Sequence, residues 1–390
     1  MQNKKELLVL FIVMFLVMVG FGIIIPVLPF YAEDLGASPT QLGLLMAVYS
    51  VMQLIFSPIW GRVSDRIGRK PVMVIGITGL ALSFFLMAYA SKLWMLFAAR
   101  ILGGLLSSAN MPTVMAYVAD ITTEEDRGKG MGLIGASVGL GFILGPAIGG
   151  IFSKNNLSTP FLIAGVSSLI TIFLVLFILK ETLTKQKETQ KQKEKIPYKQ
   201  VLTQPLAILY FLQLFVSMSL SGLEATFAYF AAEKADLNSV DIGYIFMIMG
   251  LAGAIVQGGL VGPLTKKFGE GTVIQLGAII SAIGFGLILF VDSFVKAAIF
   301  LTIFGLGNGV IRPCVSALLT KKSTIGHGST TGMLSSFDSL GRIIGPPLGG
   351  WLFSITIGLP YISGIILSIV AFFLFLIYKT KTNKVKQLSA

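Results

Sequence analysis

Twelve runs of about 20 mostly apolar residues follow one another along this chain. A run of that length crosses the ~30 Å hydrocarbon core of a bilayer as a helix. The runs cover roughly 7–32, 41–60, 72–90, 94–118, 130–153 and 159–179, then 205–232, 240–263, 271–291, 295–319, 329–354 and 359–378. In lipid, a chain satisfies its own backbone hydrogen bonds only in helices or closed barrels, and runs this long are helical. The expected fold is therefore all-α and integral to a membrane, with twelve transmembrane helices. Composition agrees: 54% of the 390 residues are hydrophobic and only 12% are charged, against about 25% charged in soluble domains. The mean hydropathy is +0.85.

One hydrophilic stretch is long, KETLTKQKETQKQKEKIPYKQ at 180–200. It is rich in Lys, Gln and Glu and reads as a solvated linker. The expected organisation is a six-helix half over 1–180, a cytoplasmic linker over 181–204 and a second six-helix half over 205–390. With the N-terminus inside, one side of the membrane receives Lys4, Lys5, Arg62, Arg66, Arg69, Lys70, Arg127, Lys129, the linker lysines, Lys266, Lys267, Lys321, Lys322 and the tail lysines. The other receives only Lys92, Lys154, Lys234 and Lys296. Basic residues gather on the cytoplasmic side, so both termini are expected there, in a cytoplasmic membrane. The first apolar run is too long for a signal peptide and lacks a small-residue cleavage site.

The net charge of +12 is then loop charge. No basic stretch is interleaved with aromatics in a soluble module, so a nucleic-acid partner is not expected. The single Cys314 allows no intrachain disulfide, and the single His327 rules out a His-rich metal site. No nucleotide-binding loop and no metal-ligand spacing is present. Neither cofactor, metal nor enzyme activity is expected.

The halves repeat. GFILGPAIGG at 141–150 and GRIIGPPLGG at 341–350 stand 200 residues apart, match at six of ten positions, and fall in the fifth span of each half. MPTVMAYVAD (111–120) is weakly matched by RPCVSALLTK (312–321), and GRVSDRIGRK (61–70) by GPLTKKFGEG (262–271). Two homologous halves with an even number of spans enter the membrane in the same direction. They are related by an axis along the membrane normal, and the substrate site is expected between them.

Together these motifs resemble the major facilitator superfamily, in its twelve-span drug:proton antiporter branch. The resemblance covers essentially the whole chain. GRVSDRIGRK matches the family's loop motif, RILGG (100–104) its arginine motif, GFILGPAIGG its antiporter motif, and IIIPVLPFY (23–31) the end of its first span. LSGLEATFAYFAAEK (220–234) and IRP (311–313) are similar to the quinolone and multidrug exporters of that branch. The resemblance implies the major facilitator fold, two pseudo-symmetric six-helix bundles working as a monomer. It also implies a proton-coupled antiporter that exports lipophilic, often cationic drugs, fluoroquinolones and dyes among them. A dedicated exporter of one antibiotic, sugar or metabolite is the alternative.

Gly141, Gly145 and Gly149 recur every four residues on one face, where a second helix can approach closely, and Pro146 removes a backbone bond. The face is either plain packing or, as the resemblance implies, a seal bordering the cavity. In the loop motif, Gly61 and Gly68 allow a tight turn and Arg66, Arg69 and Lys70 are expected among lipid headgroups. Asp65 is the odd acid; in the family it latches one state, with Asp120 as companion and Arg127 near it.

Five charges lie inside spans: Arg100, Glu224, Arg312, Asp338 and Arg342. Each is costly in lipid and should face the bundle interior or water. Asp338 and Arg342 are one turn apart, either a structural pair or one that opens when the acid takes a proton. Glu224 has no partner on its own span and is a proton-carrier candidate, with Arg312 expected to reach it. Exporters of this branch carry an acid three residues before that arginine; here the position is Gly309. Arg100 is either a structural clamp or, by resemblance, a cavity-facing part of proton exchange. Resemblance also picks Phe142, Phe227 and Phe337 as drug contacts, with Glu224, Arg312 and the buried amide of Gln53. Apolar walls with a few polar groups suit bulky amphipathic ligands.

Overall fold

The computed structural model describes residues 4–183, 205–323 and 327–388, and every regular element among them is helical. Most of the expected linker, 184–204, lies outside the described residues. The helices are α1 (Lys4–Asp34), α2 (Pro39–Ile67), α3 (Arg69–Ala88), α4 (Leu93–Ser107), α5 (Asn110–Ile121), α6 (Glu124–Ser153) and α7 (Thr159–Ile178). They continue as α8 (Ala207–Ala235), α9 (Ser239–Ile255), a π segment (Val256–Leu260), α10 (Val261–Ile288), α11 (Phe294–Lys322), α12 (His327–Ile355) and α13 (Leu359–Leu388).

All twelve predicted spans fall on helices, with one departure in how they are cut. The fourth span, expected unbroken, is divided between α4 and α5 at Ser108 and Ala109. The eighth and ninth are separate helices, as expected: Gly269 stands between them with a non-helical φ of +78° and ψ of 154°, open to glycine and strained for other residues. Ten segments among the described residues are long and apolar enough to cross a membrane, with Ser239–Ile288 taking the eighth and ninth spans together. Helix α12 is not one of the ten, since glycines, prolines, serines and two charges dilute its apolar content. Phe173 and Phe177 are large and exposed, as expected of side chains that face lipid rather than water.

Helix boundaries follow local chemistry. Thr123 caps α6, its side-chain oxygen accepting from the Asp126 N–H at 3.4 Å, and three acids, Glu124, Glu125 and Asp126, occupy the first turn. Both features offset the unsatisfied N–H groups and positive end of a helix. The reversal from α2 into α3 passes through Gly68 alone, at φ +113°.

The chain divides into two compact units. One comprises Met1–Ser38, Leu44–Gln190 and Leu237–Met247; the other comprises Pro39–Gly43, Lys191–Asp236 and Ile248–Ala390. In the first, α1 packs on α6 and α7, and α3 on α4 and α7. In the second, α8 packs on α12 and α13, and α10 on α11 and α13. Under the 200-residue offset these are the same four pairings, so the repeat read in the sequence is a repeat of packing.

The Gly-Pro stretches bring helix backbones into direct contact. A Cβ on Gly145 would lie 2.7 Å from both the Gly22 Cα and the Val19 carbonyl oxygen of α1. One on Gly149 would lie 2.8 Å from the Ile23 oxygen. In the second unit, a Cβ on Gly345 would overlap Ser221 and Met218 of α8, and one on Gly349 would lie 3.0 Å from the Gly222 oxygen. Gly22 and Gly222 are again 200 apart. Short segments recruited from the other half of the sequence obey the same rule. Gly243 lies against the Pro146 carbonyl in the first unit, and Gly43 against the Pro346 carbonyl in the second.

Candidate functional site

Along helix α8, Gln213, Ser217, Ser221 and Glu224 are spaced by four, four and three residues and so aligned on one face. The glycine face of α12 lies against this stripe. Gly341 and Gly345 have no side chain to hold α8 away, and the Ser221 hydroxyl donates to the Gly341 carbonyl at 3.1 Å. Close approach brings Asp338 of α12 onto the stripe: its Oδ1 accepts from the Gln213 amide at 3.0 Å and from the Ser217 hydroxyl. Its Oδ2 faces two guanidinium groups, Arg312 of α11 at 3.5 Å and Arg342 of its own helix at 3.9 Å. Arg342 in turn stands 3.9 Å from Glu224 Oε2. Four of the five charges predicted within spans thus form one alternating row, Arg312–Asp338–Arg342–Glu224, inside the second unit.

The row corrects two expectations. Arg312 is paired with Asp338, not with Glu224, and Glu224 finds its partner on α12. The acids are nearly enclosed, with side chains 12% exposed for Asp338 and 15% for Glu224, while Arg312 is 55% and Arg342 39% exposed. A row with buried acids and accessible arginines offers groups that can exchange partners when one acid changes charge. Beside it, the Phe337 ring stacks on Tyr210 at 5.6 Å between centroids and meets Phe211 edge-on at 5.2 Å. Phe227 is fully buried among the helices. Gln257, on the π segment, sits beside Gly309, where a Cβ would lie 3.2 Å from its amide nitrogen. Gln213, Ser217 and Gln257 were not among the predicted site residues. The spacing of the α8 stripe was the available signal for the first two.

In the first unit, Arg100 is buried. Its guanidinium lies 4.5 Å from the centre of the Tyr49 ring, its Nε donates to the Leu45 carbonyl at 3.4 Å, and the Tyr49 hydroxyl bonds Ser107 at 2.7 Å. Gly104 of the RILGG motif permits this, since a Cβ there would meet the Tyr49 oxygen at 2.7 Å. Gln53 is half-buried and Phe142 is 38% exposed.

The loop motif is built around Arg69, which is buried rather than set among headgroups as expected. It donates to Asp65 at 2.6 Å, Ser64 at 2.9 Å and Asp120 at 3.2 Å. Arg127 reaches the residue next to Asp120, donating to the Ala119 carbonyl at 3.5 Å. The Gly61 carbonyl joins it, accepting from the Ser64 hydroxyl at 2.9 Å, while Arg66 is exposed. Glu181, which the sequence reading passed over, completes the cluster. Its carboxylate accepts from the N–H groups of Arg69 at 2.9 Å and Lys70 at 3.0 Å, the first two residues of α3. Burial raises its pKa, but the N–H donors of Leu183, Arg69, Lys70 and Thr182 outweigh that and hold it below the usual glutamate value.

The profile described as Major Facilitator Superfamily matches residues 10–327 and 260–390. The chain belongs to the major facilitator superfamily. Among similar proteins, Multidrug resistance protein 2 of Bacillus subtilis (strain 168) is 33% identical over 388 residues, covering 98% of this chain and 97% of that protein. Quinolone resistance protein NorA of Staphylococcus aureus (strain MSSA476) is 30% identical over 389 residues, covering 98% and 99%. Among solved structures, the nucleoside transporter NupG superposes with a TM-score of 0.79 at 15% identity, over 96% of this chain and 98% of that one. The human organic anion transporter MFSD10 gives 0.67 at 24% identity, over 95% and 98%. These establish the fold of a multi-pass membrane transporter of this superfamily.

Proposed function

We propose that this protein is a multidrug exporter of the cytoplasmic membrane that expels lipophilic, often cationic compounds, fluoroquinolones and dyes among them, in exchange for protons. The names of its relatives support the drug class. The observation that carries the coupling is the row Arg312–Asp338–Arg342–Glu224. An acid that takes a proton gives up its hold on the neighbouring guanidinium, and Arg342, shared between Asp338 and Glu224, then belongs wholly to the other acid. A cationic drug competes for the same carboxylates, so proton and drug displace one another. Alternating access of the two halves, 1–180 and 205–390 joined by the linker, carries each across. Arg100 on its Tyr49 platform and the Asp65–Arg69–Asp120 cluster act in that conformational change, and both termini lie in the cytoplasm.

The test is substrate-dependent proton movement in inverted membrane vesicles, using a cationic dye and a fluoroquinolone. Glu224→Gln is expected to abolish proton-driven efflux while leaving dye binding measurable, and Asp338→Asn to change the proton dependence. Full proton-driven efflux in both variants would overturn the reading. Strong transport of one compound against a flat drug panel would favour a dedicated exporter.

A further inference from the structure

The ends of α11 and α13 and the start of the second half of α10 enclose a cavity of about 340 Å³, lying wholly within the second unit. Its walls are of two kinds. Phe268, Leu318 and Phe375 are apolar, and Phe268 is 49% exposed at the rim. Lys322 and Lys379 bring positive charge, and Tyr378 stands between the two kinds.

The charge on this rim is only partly compensated. Lys321 pairs with Glu270, and the same carboxylate also feels the charge of Lys322. Lys322 makes no ion pair of its own among the described residues; its ammonium lies 5.4 Å from the centre of the Tyr378 ring. Lys379 likewise makes no ion pair among them, and no acid lines the cavity. Tyr378 itself is 3% exposed. Its buried body separates the apolar wall from the basic one. Two ammonium groups beside one partly apolar space suit a phosphate that carries an apolar tail.

The position selects the kind of phosphate. Helix α13 carries no charge up to Tyr378 and then reads Lys379, Thr380, Lys381; α11 carries none from Pro313 to Thr320 and ends in Lys321 and Lys322. The cavity therefore sits where two spans pass from hydrocarbon to water, the depth of lipid headgroups. Its apolar wall would be wasted on a small soluble anion. Basic pockets between transmembrane helices at this depth suit anionic lipid heads.

We propose that this cavity is a binding site for one anionic glycerophospholipid. The phosphate lies between Lys322 and Lys379, and the first part of an acyl chain lies along Phe268, Leu318 and Phe375. The site is separate from the charged row and from the Gly-Pro contacts.

The experiment is native mass spectrometry of the full chain in mild detergent, titrated with phosphatidylglycerol, phosphatidylcholine or inorganic phosphate. Each lysine is expected to contribute about 5-fold in affinity, so K322Q/K379Q should weaken phosphatidylglycerol about 25-fold while phosphatidylcholine binding stays equal in both proteins. K4Q/K5Q removes two exposed lysines elsewhere and should leave affinity within 2-fold. The proposal is overturned if K322Q/K379Q keeps wild-type affinity, if phosphatidylcholine binds as tightly as phosphatidylglycerol, or if K4Q/K5Q weakens binding equally, which would mean diffuse surface charge. Displacement of the lipid by inorganic phosphate at matched concentration would instead mark a soluble-phosphate site and overturn the lipid assignment.

Discussion

Adding one carbon at Gly145 probes directly how α1 and α6 are held together. A Cβ there would stand 2.7 Å from two backbone atoms of α1, the Gly22 Cα and the Val19 oxygen. Carbon contacts are comfortable at about 3.5–4.0 Å, and backbone atoms on both sides leave no flexible side chain to yield. The helices must part by nearly 1 Å along a contact that Gly141 and Gly149 also hold close. Overpacking of this kind costs about 1–3 kcal/mol. Alanine in a helix interior returns about 0.5–1 kcal/mol over glycine, leaving Gly145→Ala destabilising on balance. Gly139, on the same helix, has nothing within 4 Å of its would-be Cβ. Gly139→Ala keeps the propensity gain and meets no clash, so it should stabilise by about 0.5–1 kcal/mol. The two variants should thus move in opposite directions, separated by the overpacking cost itself. The assay is thermal or dodecyl-sulfate unfolding in mild detergent, followed by tryptophan fluorescence. The second unit supplies an independent replicate in Gly345→Ala against Gly332→Ala, since Gly332 is equally free of neighbours. If Gly145→Ala and Gly139→Ala agree within about 0.5 kcal/mol, the close approach is not a determinant of stability and the reasoning fails.

The cluster at the start of α3 makes two further predictions. The depressed pKa of Glu181 means its stabilisation is present above the unfolded glutamate value of ~4.3 and lost as pH falls through the lower folded value. Glu181→Gln should therefore cost about 0.5–1 kcal/mol near neutral pH, and its difference from wild type should close on acidification below about pH 4. A difference unchanged down to pH 3 would contradict this. Arg69→Ala should cost about 2 kcal/mol by removing charge-assisted bonds to Asp65 and Asp120. Arg69→Lys should recover less than half, because one ammonium lacks the fork that serves Ser64, Asp65 and Asp120 together. Lysine at full wild-type stability would show that charge alone suffices.

The spans were legible because lipid imposes length: a helix that crosses must be about 20 residues of apolar sequence, and each predicted run is helical. Where helices break was less legible. The division at Ser108 and Ala109 and the π segment at Val256–Leu260 depend on local backbone geometry, which hydropathy does not record. The charged residues of the site stood out for the same reason as the spans, since lipid makes each of them costly. Their pairing did not. Whether Arg312 reaches Glu224 or Asp338 depends on the rotation of three helices about their axes, and the glycine face of α12 sets that rotation by bringing Asp338 onto the α8 stripe. Glu181 and Arg69 lie 112 positions apart, and no local pattern joins them.

That contact also gives the chain a mechanical anchor. As it leaves α7 it is held at three successive residues: the Lys180 carbonyl accepts from the Tyr117 hydroxyl at 2.7 Å, Glu181 closes the start of α3, and the Thr182 hydroxyl donates to Asp120 at 3.1 Å. A pull transmitted from beyond residue 183 would reach this clamp before it reached α7. The bonds it would load first are those shared with Arg69 and Asp120, so tension in the tether and the state of the loop motif are one mechanical circuit.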